Sequence, residues 1–370
     1  MPTDAPRRAR RGAVALLVTA LVAMAGCGGG ADDAVEPAST PAPTEEPSPA
    51  TPTPEPATPS VEEVRFTSGD FELVGHLTLP GGSGPHGAVI VVHGDGPQTR
   101  TSTPGTQEVL DRFVPAGFAV LVWDKPGSGE STGDFEEGQT LRQRAQILAD
   151  GVGYLADHEA IDADRIGFWG LSQAGWVMPL ALERTDDVAF MVVVSGGGED
   201  GIEQTAYQLG QRVVCEGRTP EEGQLVETHF PQTAKGPTFD DYIDAMAVLV
   251  GIEGWETFAG PGLKTEADWQ PWPAEIDAYF DPMSVIEHTT IPVLAVFGEM
   301  DRFVDPVQGA AAYKQALLRA GNPDYQIELI PETGHTMLSQ STMCGTGGAV
   351  SPRYLEVLDN WIAALDTALS

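Results

Sequence analysis

Residues 165–178 read RIGFWGLSQAGWVM: an apolar run with strand character, a sharp turn with a serine at its apex, and a helix leaving it. Ser172 is the candidate nucleophile. A serine hydroxyl is weakly nucleophilic on its own, so a fold that uses one must project it clear of a sheet, toward a base and a pair of backbone N–H donors. Gly170-Leu171-Ser172-Gln173-Ala174 has the layout of the G-x-S-x-G elbow, with Ala174 in place of the last glycine. Small neighbours are needed because such a turn strains the serine backbone and presses helix against strand. Ala174 meets that size limit and Gly175 follows it. Five residues alone also fit an incidental Gly/Ser turn, so the surrounding pattern decides.

That pattern alternates. Residues 64–66 and 71–79 suggest a leading antiparallel hairpin closed near Ser68-Gly69. Residues 88–92 (AVIVV), 118–123 (FAVLVW), 166–169, 190–194 (FMVVV), 292–297 (PVLAVF) and 325–330 are short, nearly continuous apolar runs, as in strands buried on both faces. Between them Leu141, Ala145, Leu148, Val152 and Leu155 recur at helical spacing, as do Tyr354, Leu358, Trp361 and Leu365. Buried strands alternating with amphipathic helices predict an α/β fold with a mostly parallel sheet covered on both sides. From Gly196 to about residue 285 the alternation is interrupted by mainly helical sequence bearing Tyr207, Phe230, Tyr242, Trp255, Phe258, Trp269 and Trp272. This reads as a cap inserted over the carboxyl edge of the sheet, where ligands bind in open α/β sheets. Its aromatics are expected to form mainly the cap's own core.

Each remaining part of an acyl-transfer site follows a predicted strand. His335, in PETGH, lies after the last strand and before the last helix, as a general base approaching Ser172 from a loop requires. Asp301 follows the penultimate strand, where an acid can accept the imidazole N–H and fix its tautomer. Glu299 and Asp305 are its rivals, and Asp305 also suits the N-cap of a helix starting at Pro306. His93-Gly94-Asp95-Gly96 closes the first buried strand, so the backbone N–H of Asp95, with that of Gln173, would form the oxyanion hole. His93 itself reads as a structural histidine. The segment DKPGSGES at 124–131 is glycine-rich but lacks a G-K-[ST] ending, which argues against a phosphate cradle.

The flanking composition places the domain. Arg7, Arg8, Arg10 and Arg11 precede an uncharged apolar run, residues 13–25, too short for a bilayer span and shaped like an export signal. It ends in Met24-Ala25-Gly26-Cys27, which resembles a bacterial lipobox. Residues 1–26 are thus expected to be a cleaved signal peptide and Cys27 a lipidated N-terminus anchoring the chain to a membrane. Nine of the 33 residues from 28 to 60 are proline, so residues 27–60 read as a disordered tether reaching up to roughly 100 Å. The domain then runs from 61 to 370. Of the formal charge of −34, −31 remains on the domain, with 16 basic against 47 acidic side chains, and this field repels nucleic acid and anionic substrates. Cys215 and Cys344 are the remaining cysteines, and an even pair in an exported chain predicts a disulfide. No zinc-type Cys/His spacing or H-E-x-x-H is present, so neither metal nor cofactor is expected.

Together these segments resemble a bacterial α/β-hydrolase of the prolyl-oligopeptidase and serine-aminopeptidase-like group, which carries HGxGPxxR, DxxGxGxS, GLSxGG and GxxD…GH. Here those are residues 93–100, 124–131, 170–175, and 298–301 with Gly334-His335. The departures are Ala174 and Asp95, where a small neutral residue is common. An acid there opposes an oxyanion unless its side chain points away. The resemblance implies hydrolysis of esters, thioesters or amides through the order Ser172, Asp301, His335, on a small-molecule or peptide acyl substrate. An esterase is expected over a peptidase, because no acidic clamp for a peptide N-terminus is evident. A binding lipoprotein, or a hydrolase fold without activity, are the rivals.

Overall fold

The computed structural model describes residues 58–369 apart from 137, 260–263, 271–276 and 346. The export segment, Cys27, the tether up to residue 57 and Trp272 lie outside the described residues. The chain forms β1 (Ser60–Ser68), β2 (Phe71–Leu79), β3 (His86–Val92), α1 (Thr106–Phe113), β4 (Ala119–Trp123), α2 (Leu141–Ala156), β5 (Ile161–Leu171), α3 (Ala174–Leu182) and β6 (Phe190–Val194). The helices α4 (Gly201–Cys215), α5 (Pro220–Lys235), α6 (Phe239–Leu249), α7 (Trp255–Ala259) and α8 (Met283–Ile286) follow. The chain then closes with β7 (Val293–Gly298), α9 (Pro306–Ala320), β8 (Tyr325–Ile330) and α10 (Pro352–Ala368).

One eight-stranded sheet has the order β1-β2-β4-β3-β5-β6-β7-β8. The β1–β2 hairpin joins antiparallel through β2 to β4, and every pairing from β4 to β8 is parallel. Parallel strands need crossovers, and the crossovers here are helices that cover both faces of the sheet. The two-residue period of a strand decides which face each side chain reaches. Ala88, Ile90 and Val92 of β3 join α2, α3, α8 and α9 in one core, whereas Val89 and Val91 join α1 and α10 in the other. Burying such a Val, Leu or Phe fully is worth about 1.5–3 kcal/mol. This explains why the apolar runs in the sequence were unbroken: both faces are dry.

Between β6 and β7 the chain builds a helical layer. Asp200 caps α4 through the amides of Ile202 and Glu203, and Thr219 with Glu222 and Thr238 with Asp241 form capping boxes on α5 and α6. Tyr242 and Trp255 are buried with Val213, Val226, Met246, Leu249 and Ile252, and Phe230 and Trp269 lean on this cluster. These four aromatics therefore serve the cap's own core, as expected. Tyr207 does not; it reaches down to the loop after β7.

Candidate active site

β5 delivers Ser172 to the carboxyl edge of the sheet with φ of 61°, and α3 begins two residues later. This left-handed backbone at a non-glycine residue is the strain the elbow pattern implies. The Ser172 N–H donates to Val194 O of β6 at 2.9 Å, which ties the turn to the neighbouring strand. The substitution of Ala174 is explained by Gly170: a Cβ there would lie 2.5 Å from the Ala174 Cβ, so one methyl fits the gap and two would not.

β7 delivers the acid. Asp301 is completely buried, and its Oδ1 accepts hydrogen bonds from the Phe303 N–H at 2.8 Å and the Val304 N–H at 3.1 Å. Its Oδ2 lies 2.8 Å from His335 Nδ1. A carboxylate only accepts, so Nδ1 carries the proton and Nε2 is left with its lone pair. The two loops are braced: Met300 N–H donates to Thr333 O at 2.8 Å and Gln340 Nε2 to Met300 O at 2.7 Å. Glu299 is exposed and accepts from the Glu332 N–H, while Asp305 caps α9 through Val307 and Gln308. Neither rival acid is hydrogen-bonded to the histidine.

Ser172, Gln173, Asp95 and His335 line one cavity of about 510 Å³, walled also by Trp176, Phe303, Leu141 and the cap residues Gln204 and Gln208. The Phe303 ring lies 5.0 Å from the His335 ring. Gly94 adjoins the elbow: a Cβ on it would be 3.5 Å from the Ser172 Cβ. Neither the Asp95 nor the Gln173 backbone N–H has an acceptor among the described residues. Asp95 is exposed toward the cavity.

His93 is structural, as expected: its Nε2 lies 2.7 Å from Trp123 O at the end of β4, and burial, Lys125 and Arg144 push its pKa down to about 3. It is therefore a neutral imidazole whose Nε2–H donates to that carbonyl. Sequence reasoning did not single out Lys125 or Arg144, which are 2% and 6% exposed. Lys125 Nζ donates to Gly94 O and Gly96 O, both at 2.7 Å, and to Gln139 Oε1 at 3.2 Å. The Arg144 guanidinium donates to His93 O and Gln173 Oε1. Burial, then Arg144, pushes the Lys125 pKa down while Asp95 pulls it up, but the three oxygens around Nζ engage all three protons of an ammonium and hold the charged form; burial lowers Arg144 to about 10 against Asp95. The anionic Asp95 that looks misplaced in the sequence thus faces two cations. Arg144 did have a signal: it sits three residues after Leu141 on the stripe that α2 buries. The DKPGSGES segment folds around its own Asp124, whose carboxylate accepts from the Arg100 and Glu130 amides and the Arg100 guanidinium, as part of the scaffold.

The cap is fastened by α4 to the loops that carry Asp301 and His335. Cys215, its last residue, is bonded to Cys344 beyond His335, with S–S of 2.04 Å and Cα–Cα of 5.3 Å. Tyr207 and Gln204 donate to the carbonyls of Asp301 and Phe303 at 2.7 and 2.6 Å. Among the described residues no group of three or more His, Cys, Asp or Glu side chains is placed to hold a metal ion.

A strand-borne elbow under a helical cap, on an eight-stranded and mostly parallel sheet, defines an α/β-hydrolase. The chain belongs to the X-Pro dipeptidyl-peptidase (S15) family, whose profile matches residues 38–315. A thiohydrolase of Aspergillus aculeatus, aneE, is 32% identical over 114 residues, which is 30% of this chain and 34% of that protein. The chain thus matches about a third of that relative's length. The esterase PF2001 of Pyrococcus furiosus superposes with a TM-score of 0.52 at 16% identity, over 84% of this chain and 90% of that one. Dipeptidyl peptidase 4 of Porphyromonas gingivalis superposes with a TM-score of 0.51 at 15% identity, over 82% of this chain and 35% of that one. At such identities the solved structures establish a common fold.

Proposed function

We propose that this hydrolase is a secreted, membrane-tethered serine enzyme that cleaves a carboxylic ester, or a thioester or amide, through an acyl-enzyme. The observation that carries the reading is the 2.8 Å contact of buried Asp301 with His335, which leaves Nε2 free in the cavity that also exposes Ser172. Ser172 Oγ attacks the substrate carbonyl carbon and its proton passes to His335 Nε2. The carbonyl oxygen, now anionic, takes the N–H groups of Asp95 and Gln173. On collapse His335 returns the proton to the leaving group, and water, deprotonated by the same imidazole, releases the acid. Apart from the substrate and that water, the steps use side chains and backbone N–H groups of this chain.

The acids in the cavity favour an ester over a peptide. Among the described residues that line it, only Asp95 and Asp277 are acidic, and Asp277 is occupied by the Leu141 N–H and by Arg142. Asp95 faces two cations, so no spare pair of carboxylates is offered to a peptide α-ammonium. The family match favours the second reading, an aminopeptidase-like enzyme on the same triad. Purified protein assayed on p-nitrophenyl esters of graded chain length and on aminoacyl and X-Pro p-nitroanilides separates them; faster cleavage of the anilides would replace the first reading by the second. A fluorophosphonate probe that fails to label Ser172 would instead indicate an inactive, binding lipoprotein.

Export and anchoring are part of the proposal. The residue pattern around Cys27 and a disulfide suited to an oxidising compartment support it. Cys27→Ala should move the protein from the membrane fraction to the soluble extract, and unchanged fractionation would refute the lipid anchor.

A further inference from the structure

We propose that Lys125 and Arg144 are positioning residues that orient and polarise the oxyanion hole from behind, an inference that rests on the serine-hydrolase reading above. The argument starts with one peptide plane. Gly94 C=O and Asp95 N–H belong to the same planar trans unit, so they point in opposite directions. Lys125 Nζ binds that carbonyl at 2.7 Å, and so directs the Asp95 N–H away from itself, out of the loop. A cation on the oxygen also draws electron density from the amide and makes its N–H a stronger donor.

The second contact at Gly96 O and the third at Gln139 Oε1 complete a set of three oxygens for the three protons of an ammonium. Arg144 supplies the other half. Its guanidinium joins His93 O, two residues before Asp95, to the side chain of Gln173, whose N–H is the second donor. The Gln173 N–H is set in the same way as that of Asp95: Ser172 O of its peptide unit accepts from the Gly175 N–H at 2.9 Å, opposite the donor. The two segments of the hole, which come from different strands, are thereby locked to one another through one arginine. Arg144, which keeps its charge, offsets the carboxylate of Asp95 beside the anion formed there.

Neither Lys125 nor Arg144 lines the cavity or hydrogen-bonds Ser172, so their effect should appear in the transition state alone. In the full-length enzyme Lys125→Met should lower kcat on the best p-nitrophenyl ester about 100-fold, as loss of an oxyanion donor does. KM should stay within about threefold, and the affinity for an alkylboronic acid, which forms a tetrahedral anion on serine, should fall in parallel with kcat. Lys125→Arg should restore part of the loss, and Arg144→Lys, which keeps the charge but only one of two contacts, should cost about tenfold. Thermal melting accompanies each assay. Folded Lys125→Met or Arg144→Lys with wild-type kcat and boronate affinity overturns the proposal, as does a loss confined to KM. If Lys125→Met does not fold, Arg144→Lys decides alone. Wild-type enzyme in which fluorophosphonate fails to label Ser172 removes the hydrolase reading and this inference with it; labelled wild type beside unaffected variants removes only the inference.

Discussion

Tyr207 of the cap helix α4 donates its hydroxyl hydrogen to the backbone carbonyl of Asp301 at 2.7 Å, so the acid that fixes His335 is itself held by the cap. Burial, with Asp305 and Asp301 nearby, raises the Tyr207 pKa, so the phenol stays a donor throughout the working range. Tyr207→Phe removes the donor and leaves the ring. The expected cost is about 0.5–1.5 kcal/mol of stability, with kcat reduced by less than roughly tenfold because the Asp301–His335 contact remains. Calorimetry and steady-state kinetics on the same preparation check both numbers; a kcat loss as large as that of a triad mutant would make Tyr207 part of the chemistry.

Ser172→Ala should lower kcat by roughly 10³ to 10⁶ with the fold retained, and His335→Ala should do similar damage. Asp301→Asn is expected to cost on the order of 10³ to 10⁴, for a reason specific to this site. Asp301 accepts on both oxygens, from Phe303 and Val304 on one side and from His335 on the other. An asparagine can accept on one side only, so it must oppose its NH₂ either to two backbone N–H groups or to the Nδ1–H of the histidine. Glu299→Gln should leave kcat near wild type, and the acid assignment fails if it is the more harmful change.

The Cys215–Cys344 bridge closes a loop of 129 residues from the end of α4 to the segment beyond His335. In the chain-entropy model a loop of that length contributes on the order of 4 to 5 kcal/mol, and native geometry usually reduces the yield. Cys215→Ser with Cys344→Ser should therefore melt at a markedly lower temperature and, because the bridge ties cap to catalytic loop, should also raise KM. Alkylation without reduction followed by mass spectrometry gives the redox state directly: modification of both cysteines in freshly exported protein would remove the bridge from the account.

The alternation of buried strands and amphipathic helices was legible because burial on both faces leaves strands such as 190–194 without a polar residue to confuse the reading. That Ser172, Asp301 and His335 would meet at one edge of the sheet was legible because each stands just past a strand end, a position the period of the sequence locates within a residue or two. The contacts of Lys125 and Tyr207 were not, and of Arg144 only its burial was. Their meaning lies in which backbone carbonyls they reach, and a carbonyl leaves no trace in the sequence. Asp95 shows the converse, since its charge is visible in the sequence but the cations that balance it come from residues 30 and 49 positions away.

Glu199, just beyond β6, has a pKa raised to about 7 by burial first and then by Glu203, Asp305 and Asp200, with Lys235 in partial opposition. Lys235 is already engaged by Asp200 and Glu203 at 2.8 and 2.5 Å, so it compensates Glu199 weakly. Between the ordinary glutamate value near 4.5 and about 7 the folded chain keeps a proton that the unfolded chain has released. Stability from this group therefore falls as pH rises through that window, stays low above it, and is unaffected below it, where both states are protonated. Glu199→Gln removes the ionisation and keeps the shape of the protonated side chain. The variant should melt above wild type at pH 8, and the gap should close as pH is lowered toward about 4.5. Melting temperatures of the two proteins across that range provide the check. A gap of constant size would mean that shape rather than charge is responsible, and a variant less stable at pH 8 would mean that the carboxylate has a partner strong enough to hold it ionised.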